Sequence, residues 1–326
     1  MSEYILEAKK LYKKFNLKAG LFARYGQFVY AVNGVSLAIK KNEIYGLVGE
    51  SGCGKTTLAR LIVRMYKHDE GGIVFNGSGD SINFNEKKKS ISRDIRSKIK
   101  YIFQDPAKSL NPRMTVFNIL TSGYKYAPSW PGKKKALIEA SEIMEDLGLS
   151  PGDLKRRPAD FSGGQRQRIS IGRALIMKPE FLICDEVVSA LDVSIQSQIL
   201  KLLLEIKAKY KLSILFIAHD LTVVSYLCDR IAVMYGGRIM EEGSAKDLIK
   251  KRYHPYTRML YSSISSKRSD SGSLKNLTFF NPTTPLSGCP FYSRCTEKKD
   301  ICKSEIPESR IIKKGHSGAC HFIKTE

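Results

Sequence analysis

Short apolar runs that lead directly into glycine or acidic residues recur along the chain. Ile44–Val48 has the length of a buried parallel strand and precedes a glycine-rich stretch. Phe181–Cys184 is a second strand-like run, and two acids follow it. Beyond the glycine-rich stretch, apolar residues recur at helical spacing, at Leu58, Leu61, Ile62 and Met65. The pattern predicts an α/β protein in which buried strands alternate with helices.

The glycine-rich stretch GESGCGKTT has the composition of a phosphate-binding loop. Glycines let the backbone bend so that its N–H groups point inward around phosphates, and the N-terminus of the following helix adds to the attraction. We expect Lys55 to reach the β- and γ-phosphates and the Thr56 hydroxyl to ligate Mg²⁺. A chance match is the alternative, and the flanking strand and helix disfavour it. The predicted nucleotide-binding residues are Gly49, Glu50, Ser51, Gly52, Cys53, Gly54, Lys55, Thr56 and Thr57.

The two acids after the second strand complement this loop. Asp185 stands at the carboxyl end of the strand, where it is placed to hold Mg²⁺ through water. Glu186 follows and is placed to orient or deprotonate an attacking water. Two acids after an apolar run also occur as a plain strand end, so this pattern alone leaves both interpretations open.

Residues 1 to about 260 resemble an ATPase subunit of the ATP-binding-cassette (ABC) family, because six motifs of that family occur in the family's order. The motifs are the Walker A loop Gly49–Thr57, the Q-loop residue Gln104, the signature motif FSGGQRQR (Phe161–Arg168), the Walker B segment FLICDE (Phe181–Glu186), the D-loop Ser189–Asp192 and the switch histidine His219. The resemblance implies an ABC ATPase fold. That fold has a RecA-like parallel-sheet core, an N-terminal antiparallel β subdomain and an inserted helical subdomain at about 105–160. The nucleotide-binding domain is then expected over 1–255.

The resemblance also assigns roles. In this family two cassettes face each other head to tail, so that the signature motif of one chain covers ATP bound to the other. Here the trans contacts implied are Ser162, Gly163, Gly164, Gln165 and Asp192, at the start of a helix expected to run from Gln165. The Mg²⁺ ligands implied are Thr56, Gln104 and Asp185. The catalytic residues implied are Glu186, His219 and Lys55.

Two positions depart from the family pattern or are ambiguous in it. Val187 follows the catalytic glutamate, where many relatives have proline, which puts the rigidity of that loop in question. The aromatic residue that stacks on adenine is expected at Phe15. Tyr25 and Tyr30 are rivals, because the segment after Phe15 carries an insertion.

The chain is expected at the cytoplasmic face of the cell membrane as a peripheral subunit. No apolar run approaches the roughly 20 residues of a membrane span, and MSEYILEAKK does not resemble a secretory signal. Two transmembrane permease subunits are therefore implied as partners, and their coupling helices would contact the helical subdomain. A mere surface insertion at 105–160 is the alternative. The net charge of +22 permits nucleic-acid binding, but the lysine clusters lack aromatic interleaving, so no nucleic-acid partner is expected.

The C-terminal part resembles the extension of ATPases from oligopeptide, dipeptide and nickel importers. The resemblance lies in HPYTRMLYSSI (His254–Ile264) and GCPFYSRC (Gly288–Cys295), and the N-terminal part is closest to the F-type member of the paired peptide ATPases. It implies a heterodimer with a paralogous ATPase, with an ATP-dependent homodimer as the alternative, and indirect action with an extracellular binding protein. Peptide and nickel remain alternatives as substrate. A soluble, non-transport ABC ATPase is a further alternative, disfavoured by the single cassette and the absence of a long coiled-coil insertion.

Four of the seven cysteines crowd the expected extension, 256–326. In a cytoplasmic chain such a cluster indicates metal binding rather than disulfides. The spacing lacks a tight pair typical of zinc, which favours a [4Fe–4S] cluster, with Zn²⁺ and unliganded thiols as alternatives. The predicted ligands are Cys289, Cys295, Cys302 and Cys320.

Overall fold

Two β-sheets organise the chain in the computed structural model, which describes residues 2–17, 28–79, 81–86, 95–266 and 283–324. The strands are β1 (Tyr4–Asn16), β2 (Phe28–Lys40), β3 (Ile44–Val48), β4 (Glu70–Phe75), β5 (Ile82–Asn83), β6 (Ile99–Ile102), β7 (Phe181–Asp185), β8 (Ser213–Ala218), β9 (Arg230–Tyr235), β10 (Arg238–Ser244), β11 (Arg310–Lys313) and β12 (His316–Gly318). The helices are α1 (Lys55–Ile62), α2 (Pro106–Ser109), α3 (Val116–Thr121), α4 (Lys133–Asp146), α5 (Gly163–Leu175), α6 (Val193–Tyr210), α7 (Leu221–Leu227), α8 (Ala245–Lys250), α9 (Pro255–Ser266) and α10 (Ile301–Ser304).

The larger sheet has eight strands in the order β11-β12-β10-β9-β3-β8-β7-β6. Strands β6, β7, β8, β3 and β9 pair in parallel, and β10, β12 and β11 continue the sheet antiparallel. Because the parallel strands point the same way, the segments that follow β3, β6, β7 and β8 leave the sheet at one edge. That edge carries the predicted site.

Both faces of the parallel sheet are covered, which explains why its strands are apolar throughout. Every residue of β3, β7 and β8 is buried. Successive residues of β3 belong to different hydrophobic cores, with Ile44 and Val48 in one and Tyr45 and Leu47 in the other. This two-sided burial is the expected property of a parallel strand.

The smaller sheet is antiparallel, with four strands in the order β2-β1-β4-β5. It shares a hydrophobic core with α1 and one face of the parallel sheet. Together the two sheets confirm the α/β, ABC-type architecture predicted from the motifs.

Two predicted helix boundaries were wrong. Helix α1 ends at Ile62, and Met65 lies beyond it as an exposed residue rather than on a buried helical face. Helix α5 begins at Gly163, two residues before Gln165, because the Ser162 side chain caps it there. Helices α2, α3 and α4 fall inside the segment predicted as a helical subdomain. The domain boundaries themselves stay predictions.

The C-terminal segment adds strands to the main sheet. Strand β12 pairs with β10, at Glu241 with Gly318, and β11 pairs with β12. The serine-rich stretch at 263–276, whose composition is typical of a linker, lies mostly outside the described residues. Within the part of the chain that the structure describes, no helix combines the length and the apolar character of a membrane span.

Candidate functional site

The glycine loop between β3 and α1 is tightly enclosed by neighbouring backbone. Gly54, which precedes α1, has φ +108°, and a Cβ atom there would lie 2.1 Å from the Ala31 carbonyl oxygen. A Cβ atom on Gly49 would lie 2.1 Å from the Met234 carbonyl oxygen. Only glycine fits at these two positions, so the loop's shape follows from its sequence.

The Lys55 side chain lies inside this loop. Lys55 is only 4% exposed. Its ammonium group donates hydrogen bonds to the carbonyl oxygens of Gly49, at 2.7 Å, and of Glu50, at 3.0 Å. The cation is thus held at the centre of the backbone turn that the sequence predicts as a phosphate cradle. This arrangement fits a nucleotide's phosphates, since a buried ammonium pairs best with an anion.

Oxygen ligands suited to Mg²⁺ lie beside the loop. The Thr56 hydroxyl donates a hydrogen bond of 3.3 Å to Asp185, the last residue of β7, whose side chain is buried. The Tyr101 hydroxyl donates to the other carboxylate oxygen of Asp185. Burial, together with the charge of Asp185, raises the pKa of Tyr101, so the phenol stays a proton donor. A hydroxyl and a carboxylate are the ligand types Mg²⁺ takes in nucleotide sites, so the residues fit that ion.

The Glu186 side chain lies between Gln104 of the Q-loop and the switch histidine His219. Its carboxylate accepts a hydrogen bond of 2.7 Å from the Gln104 side-chain amide, and it lies 3.9 Å from Nδ1 of His219. The Glu186 backbone has φ +50°, a strained conformation for a residue with a side chain. Its N–H donates to the Ile217 carbonyl oxygen at 2.9 Å, which ties the strained turn to the adjacent strand β8.

The loop after Glu186 is held without the proline found in many relatives. Val187 and Val188 are buried in the core. The Ser189 hydroxyl and backbone N–H both donate to the Glu186 carbonyl oxygen, at 2.9 and 3.2 Å. Burial and hydrogen bonding therefore restrict this loop at the position where the sequence left its rigidity in question.

The candidate adenine-stacking residues occupy different surroundings. The half-buried Phe15 ring packs edge-on against Tyr66, with 5.2 Å between ring centroids. Tyr30 lies one residue before Ala31, whose carbonyl oxygen packs against Gly54. Tyr25 lies outside the described residues. The choice of adenine-stacking residue stays a prediction.

The signature motif forms the N-terminus of α5. Ser162 is exposed, and its hydroxyl accepts a hydrogen bond from the Gln165 N–H at 3.3 Å. The Gln165 side chain accepts one from the Ser162 N–H at 2.9 Å, which completes a capping box. Gly163 and Gly164 form the first turn of the helix, and Asp192 precedes α6. These predicted trans residues are therefore preorganised at helix N-termini, which attract anions.

The four C-terminal cysteines line one small cavity of about 20 Å³. All four are free thiols, and burial raises the pKa of Cys289 to about 11. Among the described residues, no group of three or more His, Cys, Asp or Glu side chains is arranged to hold a metal ion. The predicted metal-binding extension is thus not shown. The donor chemistry of the four thiols fits a soft metal.

Sequence reasoning missed several residues that contact the site. Tyr101 bonds to Asp185, and the C-terminal residues Tyr256 and Arg294 contact Glu50 of the glycine loop. Arg294 lies inside the GCPFYSRC segment, whose resemblance to the importer ATPases implies no role for this residue in the nucleotide site. The position of Tyr101 on β6, beside the acid-bearing strand β7, was an available signal for the first contact.

Comparisons with known proteins agree with this geometry. A family model described as ABC transporter matches residues 32–189, and one described as oligopeptide/dipeptide transporter, C-terminal region, matches residues 240–302. The oligopeptide transport ATP-binding protein AppF of Bacillus subtilis (strain 168) is 42% identical over 326 residues, covering 98% of each chain.

Solved structures agree as well. The structure of cbiO1 from Clostridium perfringens, part of the ABC transporter complex cbiONQ, aligns with TM-score 0.65 and 24% identity, covering 82% of this chain and 96% of its own. The dimeric structure of MJ0796, a bacterial ABC transporter cassette, aligns with TM-score 0.62 and 26% identity, covering 74% and 98%. This chain therefore belongs to the ATPases of the ABC transporter family, among those that carry the oligopeptide/dipeptide transporter C-terminal region.

Proposed function

We propose that this chain is the ATP-binding and ATP-hydrolysing subunit that energises a membrane importer of dipeptides or oligopeptides. The observation that carries the proposal is the convergence of Lys55, Thr56, Asp185 and Glu186 at one edge of the parallel sheet. The peptide substrate class is supported by the C-terminal family match and by the relative at 42% identity.

The residues divide the chemistry among them. Lys55 neutralises phosphate charge, and Thr56 and Asp185 would hold Mg²⁺, which when bound would stabilise the charge that develops on the transferred phosphoryl group. Glu186 orients the attacking water and accepts its proton. Gln104 and His219 both contact or approach the Glu186 carboxylate, so they set its position. Asp185 and Glu186 are adjacent in sequence and serve different tasks because one is buried against Tyr101 and the other faces the Q-loop.

The signature motif acts on a second chain in this proposal. Its exposed Ser162 at the N-terminus of α5 is available to a nucleotide held by a facing cassette. That cassette is a paralogous ATPase or a second copy of this chain. The mass of the Glu186→Gln variant with and without Mg-ATP distinguishes them, since doubling with ATP indicates self-pairing and an ATP-binding monomer indicates a paralogue. Two permease subunits then hold the pair at the cytoplasmic face of the membrane.

The four-cysteine cavity is proposed as a ligand site for an iron–sulfur cluster or a zinc ion. The proposal is supported by the four free thiols of the C-terminal segment, which line one cavity. A volume of about 20 Å³ accommodates one small ligand, so a larger cluster requires the thiols to move apart. Analysis of iron, acid-labile sulfide and zinc in protein purified without oxygen tests the proposal. The absence of all three overturns it.

Uptake by cells tests the transport proposal directly. In cells from which the gene is deleted, we expect labelled tripeptide uptake to be lost, restored by the wild-type chain and not by Glu186→Gln. Uptake of nickel ions, measured in parallel, is expected to remain unchanged. Loss of nickel uptake with intact peptide uptake would assign the chain to a nickel importer instead.

A further inference from the structure

The C-terminal segment reaches back to the phosphate-binding loop through Arg294. The two terminal nitrogens of its guanidinium donate to the two carboxylate oxygens of Glu50, at 2.7 and 2.9 Å. Parallel hydrogen bonds of this kind fix the carboxylate's orientation as well as its charge. The Arg294 side chain is 4% exposed and that of Glu50 is 32% exposed, so the pair is largely withdrawn from solvent.

A second C-terminal residue holds the same loop position by its backbone. The Glu50 N–H donates to the Tyr256 hydroxyl at 3.1 Å. The Tyr256 ring is fully buried and packs against Tyr235 and Phe291, with centroid separations of 4.6 and 5.3 Å. Glu50 is therefore fixed at both its backbone and its carboxylate by residues from the C-terminal part of the chain.

The position of Glu50 matters because it lies within the cradle. Its carbonyl oxygen accepts a hydrogen bond from Lys55 at 3.0 Å, so Glu50 helps to fix the lysine that contacts phosphate in the proposed function. Its carboxylate is carried by the same glycine loop, so an unpaired negative charge there acts on the predicted site for a polyanion. The guanidinium of Arg294 offsets that charge, which otherwise repels the phosphates.

Arg294 is itself positioned by the cysteine-bearing segment. It ends the short 3₁₀ helix Tyr292–Arg294, and Cys295 follows at once. The turn that begins this helix is closed by a bond from the Tyr292 N–H to the Cys289 carbonyl oxygen, at 3.0 Å, and the Cys289 N–H donates to the Cys302 carbonyl oxygen at 2.8 Å. The fold of this segment therefore determines where the guanidinium lies.

We propose that Arg294 is a positioning residue of the nucleotide site, through which the C-terminal extension sets the affinity of the glycine loop for ATP. The inference rests on the proposed function, in that the loop at 49–57 binds the phosphates of ATP. It assigns the extension a role in nucleotide binding within the same chain.

The experiment compares dissociation constants for Mg-ATP, measured by calorimetry on the purified full chain. Arg294→Gln is expected to raise the dissociation constant about tenfold, because it leaves the Glu50 carboxylate unneutralised beside the phosphates. Adding Glu50→Gln in the double variant is expected to bring the constant back to within about threefold of wild type, since the unpaired charge is then gone. In steady-state assays of Arg294→Gln, KM for ATP rises while kcat stays within about twofold.

Arg258→Gln is the matched control. It removes another arginine of the C-terminal part, one that pairs with Glu297 at an exposed position, and it is expected to leave ATP affinity unchanged. An unchanged constant in folded Arg294→Gln overturns the inference. The inference is also overturned if the double variant binds Mg-ATP as weakly as Arg294→Gln does. The loss of affinity is then a structural effect of removing Arg294 and is not transmitted through the charge of Glu50.

Two further variants distinguish a folding failure, a failure of this inference and a failure of the proposed function. If Arg294→Gln does not fold, Arg294→Lys loses the paired hydrogen bonds but retains the charge, and it is expected to bind ATP less than about threefold more weakly than wild type. A tenfold loss in folded Arg294→Lys then overturns the neutralisation argument. Lys55→Ala tests the proposed function separately: if it binds ATP as wild type does, the glycine loop is not the phosphate site and the proposed function fails.

Discussion

Gly52 and Gly54 have positive φ angles in the same loop, +80° and +108°, but their surroundings differ. Around a Cβ atom on Gly52 there is open space, whereas one on Gly54 meets the Ala31 carbonyl oxygen at 2.1 Å. The first position requires only a backbone conformation that side chains disfavour. The second requires the conformation and the absence of a side chain, because the clashing group is backbone.

Alanine substitutions therefore separate the two requirements. Gly52→Ala is expected to lower the free energy of unfolding by about 1–2 kcal/mol, the cost of a left-handed conformation. Gly54→Ala is expected to lower it by more than about 3 kcal/mol and to abolish ATP binding, because β2 or the loop must move. Urea unfolding of both variants measures the difference. Equal losses would mean that the close contact with Ala31 does not constrain the loop.

The sequence predicts individual site residues better than it predicts which residues contact one another. Lys55 is predicted from the glycine-rich loop, and Asp185 and Glu186 from the strand-like run that precedes them. The contact of Tyr101 with Asp185 spans 84 residues of sequence, and that of Arg294 with Glu50 spans 244. Contacts this distant depend on how elements pack, which local patterns in one sequence do not specify.

Among the elements, the residues that lead into α9 join the C-terminal segment to the main sheet through a buried polar network. Glu241 on β10 accepts hydrogen bonds from the backbone N–H groups of Tyr253 and His254, at 2.9 and 3.1 Å, and from Nε2 of His316 on β12, at 2.8 Å. His254, just before α9, accepts from the Tyr256 N–H at 3.0 Å. The first residues of the HPYTRMLYSSI segment therefore connect β10 structurally to α9.

This connection predicts a pH dependence of stability. Burial lowers the pKa of His254 to about 4, although the negative charge of Glu241 acts in the opposite direction and raises it. Because the unfolded chain then binds a proton that the folded chain excludes, His254's contribution is present above about pH 6.5 and is lost as the pH falls toward 4. The expected loss from this residue is about 2 kcal/mol between about pH 7.5 and pH 5.

Unfolding of wild type and His254→Gln at both pH values isolates this contribution. The variant is expected to lose about 2 kcal/mol less than wild type over the range, since its side chain does not titrate. His321→Gln is the control, because His321 is bonded at an exposed position, to the Glu305 carbonyl oxygen. Identical pH dependence in wild type and His254→Gln would show that His254 is not held neutral by burial.

The helix boundaries show where local patterns fall short at this scale. Apolar spacing extended α1 to Met65, yet the helix ends at Ile62 and Arg64 adopts a positive φ of +56°. The helix start at Gly163 is set by the Ser162 capping box, which has the S-x-x-Q sequence pattern typical of such a cap. Capping geometry therefore located this boundary better than apolar spacing did.

For the whole molecule, the parallel sheet assembles a site from segments that are far apart in sequence. The loops after β3, β6, β7 and β8 meet at one edge because parallel strands share a direction. Motif order and strand alternation were enough to predict this architecture. The attachment of β11 and β12 to the same sheet was not predictable, because short terminal strands of mixed composition carry little periodicity.

In the proposed function, the assembled site hydrolyses ATP with Glu186 as the residue that activates water. The most direct measurement compares ATP binding and phosphate release in wild type, Glu186→Gln and the control Glu205→Gln, which alters an exposed acid on α6. Glu186→Gln is expected to bind Mg-ATP within about threefold of wild type while releasing phosphate at least about 100-fold more slowly, and Glu205→Gln is expected to match wild type. Phosphate release by Glu186→Gln at the wild-type rate would contradict the account.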